Sequence, residues 1–333
     1  MSSENENVTS EKKQAVLEHA WKRFADYDKS SMEDQSRYLQ LREIILILGV
    51  VSVFLAILHS VLKLATPPWV SDFNNFLRYL VILTPIIVGV LQVGSVKFKS
   101  GSKYVLLRGS AEAVKREIYR YRVQSGVYGL KQTKNDTRET KLANRVNAIA
   151  AQLIKTEVNE TALTLYPENG KLPPPNTIPK DDDGFSDLDA EKYLTWRLED
   201  QLSFYRKRAS TFTKKLHQYM WLIFALGGAS TFLAAIGLEI WIAVTISISA
   251  AIVGFLELKQ VEATIVVYNQ VATDLEGIRS WWHSMPSEER TKPETKEKLV
   301  QTTENLLMNE LVGWVQRMYD ALAELYKEGG ETR

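Results

Sequence analysis

One carboxylate stands alone in the most apolar stretch of this chain. Glu239, in "AAIGLEIWIA" (234–243), separates the uncharged run Leu216–Leu238 from the uncharged run Ile240–Leu256. At membrane depth such a group would relay protons or hold a cation, because ionisable residues there are costly and functional. At a turn in water it would do neither and would cost little. Other chemistry-bearing groups are few. The chain has no cysteine, which removes thiol catalysis, disulfides and thiolate metal sites together. His19, His59, His217 and His283 are far apart and form no HExxH pair, so no metal site is expected. No GxGxxG and no GxxxxGK[ST] occurs, and no cofactor is expected. Catalysis at membrane depth would need ionisable groups, and the apolar runs offer only His59 and, at an inner edge, His217; the chain is read as not an enzyme. Hydroxyls remain. Thr245, Ser249, Ile252 and Leu256 share one helical face, as do Thr84, Val88, Leu91 and Ser95. Such a stripe either lines a water-filled path or lets two helices pack closely in lipid.

The elements that would position these groups are four apolar blocks, 44–62, 79–96, 216–238 and 240–256, each of 17 to 23 uncharged residues. A helix needs about 20 such residues to cross a bilayer. The expected fold is therefore an all-α integral membrane protein, with four transmembrane helices arranged as two hairpins and long amphipathic helices outside them. Pro85 and Gly89 would let the second crossing bend. Basic residues crowd Lys97–Arg122 and Arg206–Lys215, whereas the connection 63–78 offers only Lys63 and Arg78 and the turn at Glu239 offers none. By the positive-inside rule both termini and the middle of the chain are expected to be cytoplasmic. Glu239 then tips an external hairpin turn, with Gly237 ending one helix and Trp241 beginning the next at the interface. The first 43 residues are polar and carry no signal-peptide pattern.

Composition adds little about partners. With 41 basic and 40 acidic residues, bulk charge names no polyanion, and no nucleic acid is expected. The organisation is expected to be a first two-span repeat (1–165), a Pro/Asp-rich semi-extended joint (166–187, "YPENGKLPPPNTIPKDDDGFSD") and a second two-span repeat (188–330). Gly94 aligns with Gly254, and Lys99 with Lys259, at an offset of 160. Ser186 and Asp189 are read as a capping box opening a helix that runs unbroken into the third crossing. Further apolar stripes follow helical spacing: Leu142, Val146, Ile149 and Leu153; Val261, Ile265, Tyr268, Ala272, Leu275 and Trp282; and Val300, Leu307, Leu311, Trp314, Met318, Leu322 and Leu325. They would pack as a helical bundle. Trp314, Met318, Leu311 and Tyr205 are also candidates for holding neighbouring subunits together in a homo-oligomer.

Two segments, "YLTWRLEDQLSFYRKRAS" (193–210) and "TENLLMNELVGWVQRM" (303–318), resemble the SLATT family of two-transmembrane domains. The positions that carry the likeness are Tyr193, Arg197, Glu199, Gln201, Tyr205 and Ala209, then Glu304, Glu310 and Trp314. The first half follows only by element order and lacks the Arg-x-Glu-x-Gln signature. The resemblance implies a pore-forming effector at the inner membrane, with the trigger expected from a separate sensor or signal protein or from the membrane itself. On that reading the chain is an oligomeric ion channel in the lipid bilayer, gated through its cytoplasmic helices. Glu239, Glu257 and Lys97 would stand at the mouths of the path taken by ions. The alternative is a non-conducting membrane scaffold that binds partners through its helical bundle.

Overall fold

The computed structural model describes residues 2–63, 68–129 and 136–328. Lys63 to Arg78 was expected to be an external connection. The first helix there ends at Leu62 and Pro68 opens the next one, so only 63–67 lie between them, of which 64–67 are outside the described residues. Proline suits a first helical turn: its φ is preset and its missing N–H would have found no partner. The helices are α1 (Ser2–Leu62), α2 (Pro68–Phe98), α3 (Ser100–Arg122), α4 (Arg138–Ile154), α5 (Ala190–Tyr193), α6 (Asp200–Ala235), α7 (Ile242–Leu258), α8 (Val261–Ser284), α9 (Ser287–Arg290) and α10 (Pro293–Glu328). A π-helical stretch, Leu194–Glu199, links α5 to α6 without a break. Among the described residues, four helical segments are long and apolar enough to cross a membrane.

The chain divides into two compact units that cut across its two sequence halves. A bundle unit takes residues through Gln35, Gly101–Lys207 and Val267–Leu322; a membrane unit takes Ser36–Ser100 and Arg208–Val266, and the chain from Ala323 is grouped with it. The reason is the sorting of side chains: apolar spans from both halves gather in one unit and amphipathic segments in the other.

The bundle unit has two hydrophobic clusters that share α3. In the first, Leu17, Trp21 and Phe24 of α1 meet Leu107, Val114 and Ile118 of α3, with Leu142 and Val146 of α4. Thr137 caps α4 by accepting a hydrogen bond from the Thr140 N–H. In the second, Tyr119 of α3 and Val123 just after it meet Leu198, Leu202, Leu275, Trp282, Leu299 and Val300. The three expected stripes are the faces that turn inward, although the Leu325 side chain lies outside what is described. The capping box is corrected. Asp189 alone caps α5, accepting from the Lys192 N–H at 2.7 Å, while the Ser186 hydroxyl is drawn instead to Asp183.

The joint between the halves is a strap pinned to the bundle unit along its length. Asp26 accepts from the Tyr166 N–H at 2.8 Å, Ser30 donates to the Thr164 carbonyl, and the buried Trp21 indole donates to the Gly184 carbonyl at 2.8 Å. Gly184 has φ +80°, and a Cβ there would lie 2.2 Å from Cγ of Pro173. Further along, Arg122 and Asp182 form a bidentate pair, both side chains wholly buried. Composition suggests a semi-extended joint because prolines and aspartates seldom form regular elements; it gives no sign of these long-range anchors.

In the membrane unit both hairpins are antiparallel pairs. Thr84 on α2 donates to Ser52 on α1 at 3.3 Å, and His59 meets Asn74 at 2.6 Å. Ser230 on α6 and Thr245 on α7 share a hydrogen bond of 2.5 Å, with Tyr219 and Phe255 in ring contact further along. The hairpins touch through α1 and α7: Phe54 lies against Trp241, Leu46 against Gly254, and Glu43 pairs with Lys259 at 3.4 Å.

Three backbone positions shape this unit. Gly237, at φ +79°, closes α6 in a Schellman motif, with Leu238 N–H donating to the Leu233 carbonyl and Gly237 N–H to that of Ala234. Lys99, the single residue between α2 and α3, has φ +50°. Gln260, between α7 and α8, has φ +48°.

Candidate functional site

Of the residues that carry the family resemblance, Tyr193, Arg197, Tyr205, Glu304 and Glu310 form two polar groups inside the bundle unit, whereas Ala209 falls in the membrane unit and Gln201 bonds its neighbour Asp200. Arg197, on the π-helical stretch, sends Nε and one terminal nitrogen to the two oxygens of Glu304 on α10, both at 3.0 Å. The Tyr193 hydroxyl donates to the same carboxylate at 2.8 Å. The Arg197 guanidinium also lies over the Tyr119 ring of α3, 4.6 Å from its centroid. A π-helical turn holds one residue more than an α-helical turn and often marks a functional position. Here that stretch carries the arginine itself. Burial pulls the Arg197 pKa down, but the Glu304 charge and hydrogen bonds outweigh it and hold the guanidinium firmly protonated. Burial, reinforced by Glu304, pushes the Tyr193 phenol up. The group is a buried clasp in which the charges of Arg197 and Glu304 offset each other.

A second polar group joins α3, α6, α8 and α10. The Tyr205 hydroxyl donates to Glu310 at 3.1 Å, and its ring packs against Tyr268 with centroids 5.2 Å apart. On α3, Arg108 bridges Asp28 and Glu112, each at 2.7 Å. Burial raises the Glu112 pKa, but Arg108 and Lys115 outweigh it and keep that carboxylate ionised. Glu310 moves the other way. Burial raises its pKa, Glu112 adds to the rise, and Tyr205, Arg317 and Arg108 only partly oppose it.

The assembly candidates are largely engaged within the chain. Tyr205 and Met318 are buried, Leu311 is half-buried, and Trp314 packs on the Tyr104 ring at 6.1 Å. The pore-lining candidates also point inward. Thr84 and Ser95 are buried, and Val88, Leu91, Thr245, Ser249, Ile252 and Leu256 are half-buried. Their hydroxyls are satisfied locally: Ser95 donates to the Gln92 carbonyl, Ser249 to that of Thr245, and Thr245 to that of Ile242. On α2 the opposite face carries Ile82, Ile86, Val90 and Val93, all exposed, and on α7 the exposed Ile246 and Val253 lie about a quarter-turn round from the stripe. The mouth candidates Glu239, Glu257 and Lys97 are exposed, and Glu239 stands in the short turn after Gly237.

Sequence reasoning missed several partners. Ser52 and Ser230 complete the hydroxyl pairs; Ser52 is one small residue in an apolar run, while Ser230 stands in the small-residue run Gly227–Thr231, whose composition suggests close packing without naming a partner. Asp182 sits among three aspartates in "DDDG", and only tertiary contact selects it for Arg122. Among the described residues no cluster of His, Asp or Glu has metal-binding geometry.

Two family models match the chain. Residues 193–314 match the SMODS and SLOG-associating 2TM effector domain 1, and residues 22–136 match a protein family of unknown function, DUF4231. The halves thus share element order and joint position rather than one family model. No curated protein and no solved structure matches the chain. The stretch from Tyr193 to Trp314, holding one apolar hairpin and the Arg197–Glu304 clasp, therefore belongs to the SLATT family of two-transmembrane effector domains.

Proposed function

We propose that this protein is a membrane effector whose chains assemble around an axis and open a path for ions, driven through the bundle unit. The observation that carries this reading is the coupling of family and architecture. A two-transmembrane effector domain supplies one hairpin, and the second helix of each hairpin passes through a single joint into a bundle helix. A four-span monomer has no room for an aqueous path, since its interior is filled by the contacts that hold it together. Several chains are needed. The helices favoured to face the path are α2 and α7, with Glu239 and Glu257 near its ends giving a weak preference for cations that Lys97 opposes. On this reading both termini are cytoplasmic, the membrane is the inner one, and a separate sensor or signal protein acts on the bundle.

One observation favours the scaffold reading instead: the hydroxyl stripes of α2 and α7 are engaged inside their own hairpins. Recording from planar bilayers decides. Purified protein should give discrete currents, and Ser249→Trp should reduce their amplitude. Currents unchanged by that substitution would assign the lining to another face. Absence of current under voltage, tension and added nucleotide would leave the scaffold.

A further inference from the structure

The chain breaks its helices in two different ways. At the hairpin tip it uses Gly237, which adopts φ +79° without a steric penalty. A glycine there makes a permanent turn. At the far end of each hairpin it uses Lys99 (φ +50°) and Gln260 (φ +48°). Both types are good helix formers, and both pay for a left-handed conformation that glycine adopts freely. The positions correspond: Lys99 lies between α2 and α3, Gln260 between α7 and α8, and the halves align there at an offset of 160 to within one residue. Gln124 and Asn176 also have positive φ, but neither stands between a membrane span and the helix that continues it.

The surroundings of Gln260 hold the left-handed state without locking it. Its amide N–H and its side-chain Nε2 both donate to the Glu257 carbonyl, at 2.9 and 3.1 Å. The Thr264 N–H already donates to the Gln260 carbonyl at 2.9 Å, as it would within an unbroken helix. Beside it, Lys259 pairs with Glu43 at 3.4 Å and lies 4.2 Å from the Phe255 ring centroid. Turning Gln260 into the helical region would exchange the bonds to Glu257 for ordinary helical ones. It would also join α7 to α8.

We propose that Lys99 and Gln260 are a matched pair of convertible joints, each switching between the left-handed break and continuous helix. Conversion is the local event by which the bundle helices α3 and α8 would act on α2 and α7. Its consequence for conduction rests on the pore reading; the joint itself does not.

The test reads geometry. Val253 and Val266 are exposed, both lie in the membrane unit, and they flank Gln260. The chain has no native cysteine, so spin labels on Val253→Cys and Val266→Cys have no background. A continuous helix would separate those backbones by about 20 Å at 1.5 Å per residue. The pair in bilayers should give two distances, the longer near that value. Gln260→Val disfavours the left-handed state and should raise the share of the long distance by about tenfold, whereas Gln260→Gly should lower it. Should the valine variant fail to fold, Gln260→Ala should shift the distribution in the same direction. A single distance indifferent to all three substitutions would overturn the proposal and make the joint a fixed cap. Converting distances without bilayer current would keep the joints and remove the pore. Current with a rigid joint would do the reverse.

Discussion

The two units are built inside out relative to each other. The bundle unit keeps Trp21, Trp282 and Tyr193 wholly buried, and it pairs buried opposite charges in Arg197–Glu304 and Arg122–Asp182. The membrane unit leaves Tyr79, Val90, Trp221, Phe224 and Phe232 each more than half exposed and places hydroxyls between its helices. In water such a surface would aggregate, while in lipid it is the matching solvent. The comparison teaches that stability has different sources in the two regions. In the bundle unit burial and paired charge decide, whereas between membrane helices only packing and small polar contacts remain.

The largest expected effect attacks the bundle's buried charge. Removing one partner of a buried pair leaves the other uncompensated, which costs about 3–5 kcal/mol. Glu304→Gln should lower the unfolding midpoint sharply in mild detergent. The double change Arg197→Met with Glu304→Leu should recover most of that loss, and equal losses in the single and double variants would deny the clasp its role.

A charge on the membrane unit's outer face comes next. Val90→Lys places an ammonium on an apolar face within a span, at about 2.5–3.5 kcal/mol by insertion scales. Membrane-inserted yield should fall, while the same change at Val312, exposed in the bundle unit, should leave yield and stability nearly unchanged. Comparable yields for the two variants would remove the contrast between the units.

The pH response is smaller and belongs to Glu310. Its folded pKa is raised, so the folded chain binds the proton more tightly than the unfolded chain. Stability from this group is therefore fully present at low pH and declines as pH rises from the ordinary carboxylate range through the raised value. Glu310→Gln should flatten that slope and hold stability at neutral pH. A variant less stable than the parent at neutral pH would instead make the ionised carboxylate a necessary acceptor for Tyr205. Smallest of all should be Thr245→Val, at about 0.6 kcal/mol, the average for hydrogen bonds between membrane helices.

Much of this contrast is legible in sequence. The four spans follow from runs without charge, and Gly237 and Glu239 mark the tip of the second hairpin before any coordinate does. Leu142, Val146, Leu275 and Leu307 declare inward faces through helical spacing. The family signature points at Tyr193, Arg197, Glu304 and Glu310, which tertiary contact joins into two polar groups. What spacing cannot give is pairing at long range: Arg122 meets a residue 60 positions away, and Trp21 one 163 away. Nor does composition separate a loose linker from a pinned strap, because the same prolines, glycines and aspartates serve both. The stripes of α2 and α7 were legible as stripes, but their direction depends on Ser52 and Ser230 across each hairpin.

The inside-out comparison is tested most directly by single cysteines in an otherwise cysteine-free chain. A membrane-impermeant maleimide applied to intact cells should label Glu239→Cys, at the exposed hairpin tip, and should label Ser186→Cys, in the bundle unit's strap, only after permeabilisation. Labelling of both from outside, or of Ser186→Cys alone, would contradict the proposed orientation, in which Glu239 faces outside and Ser186 is cytoplasmic.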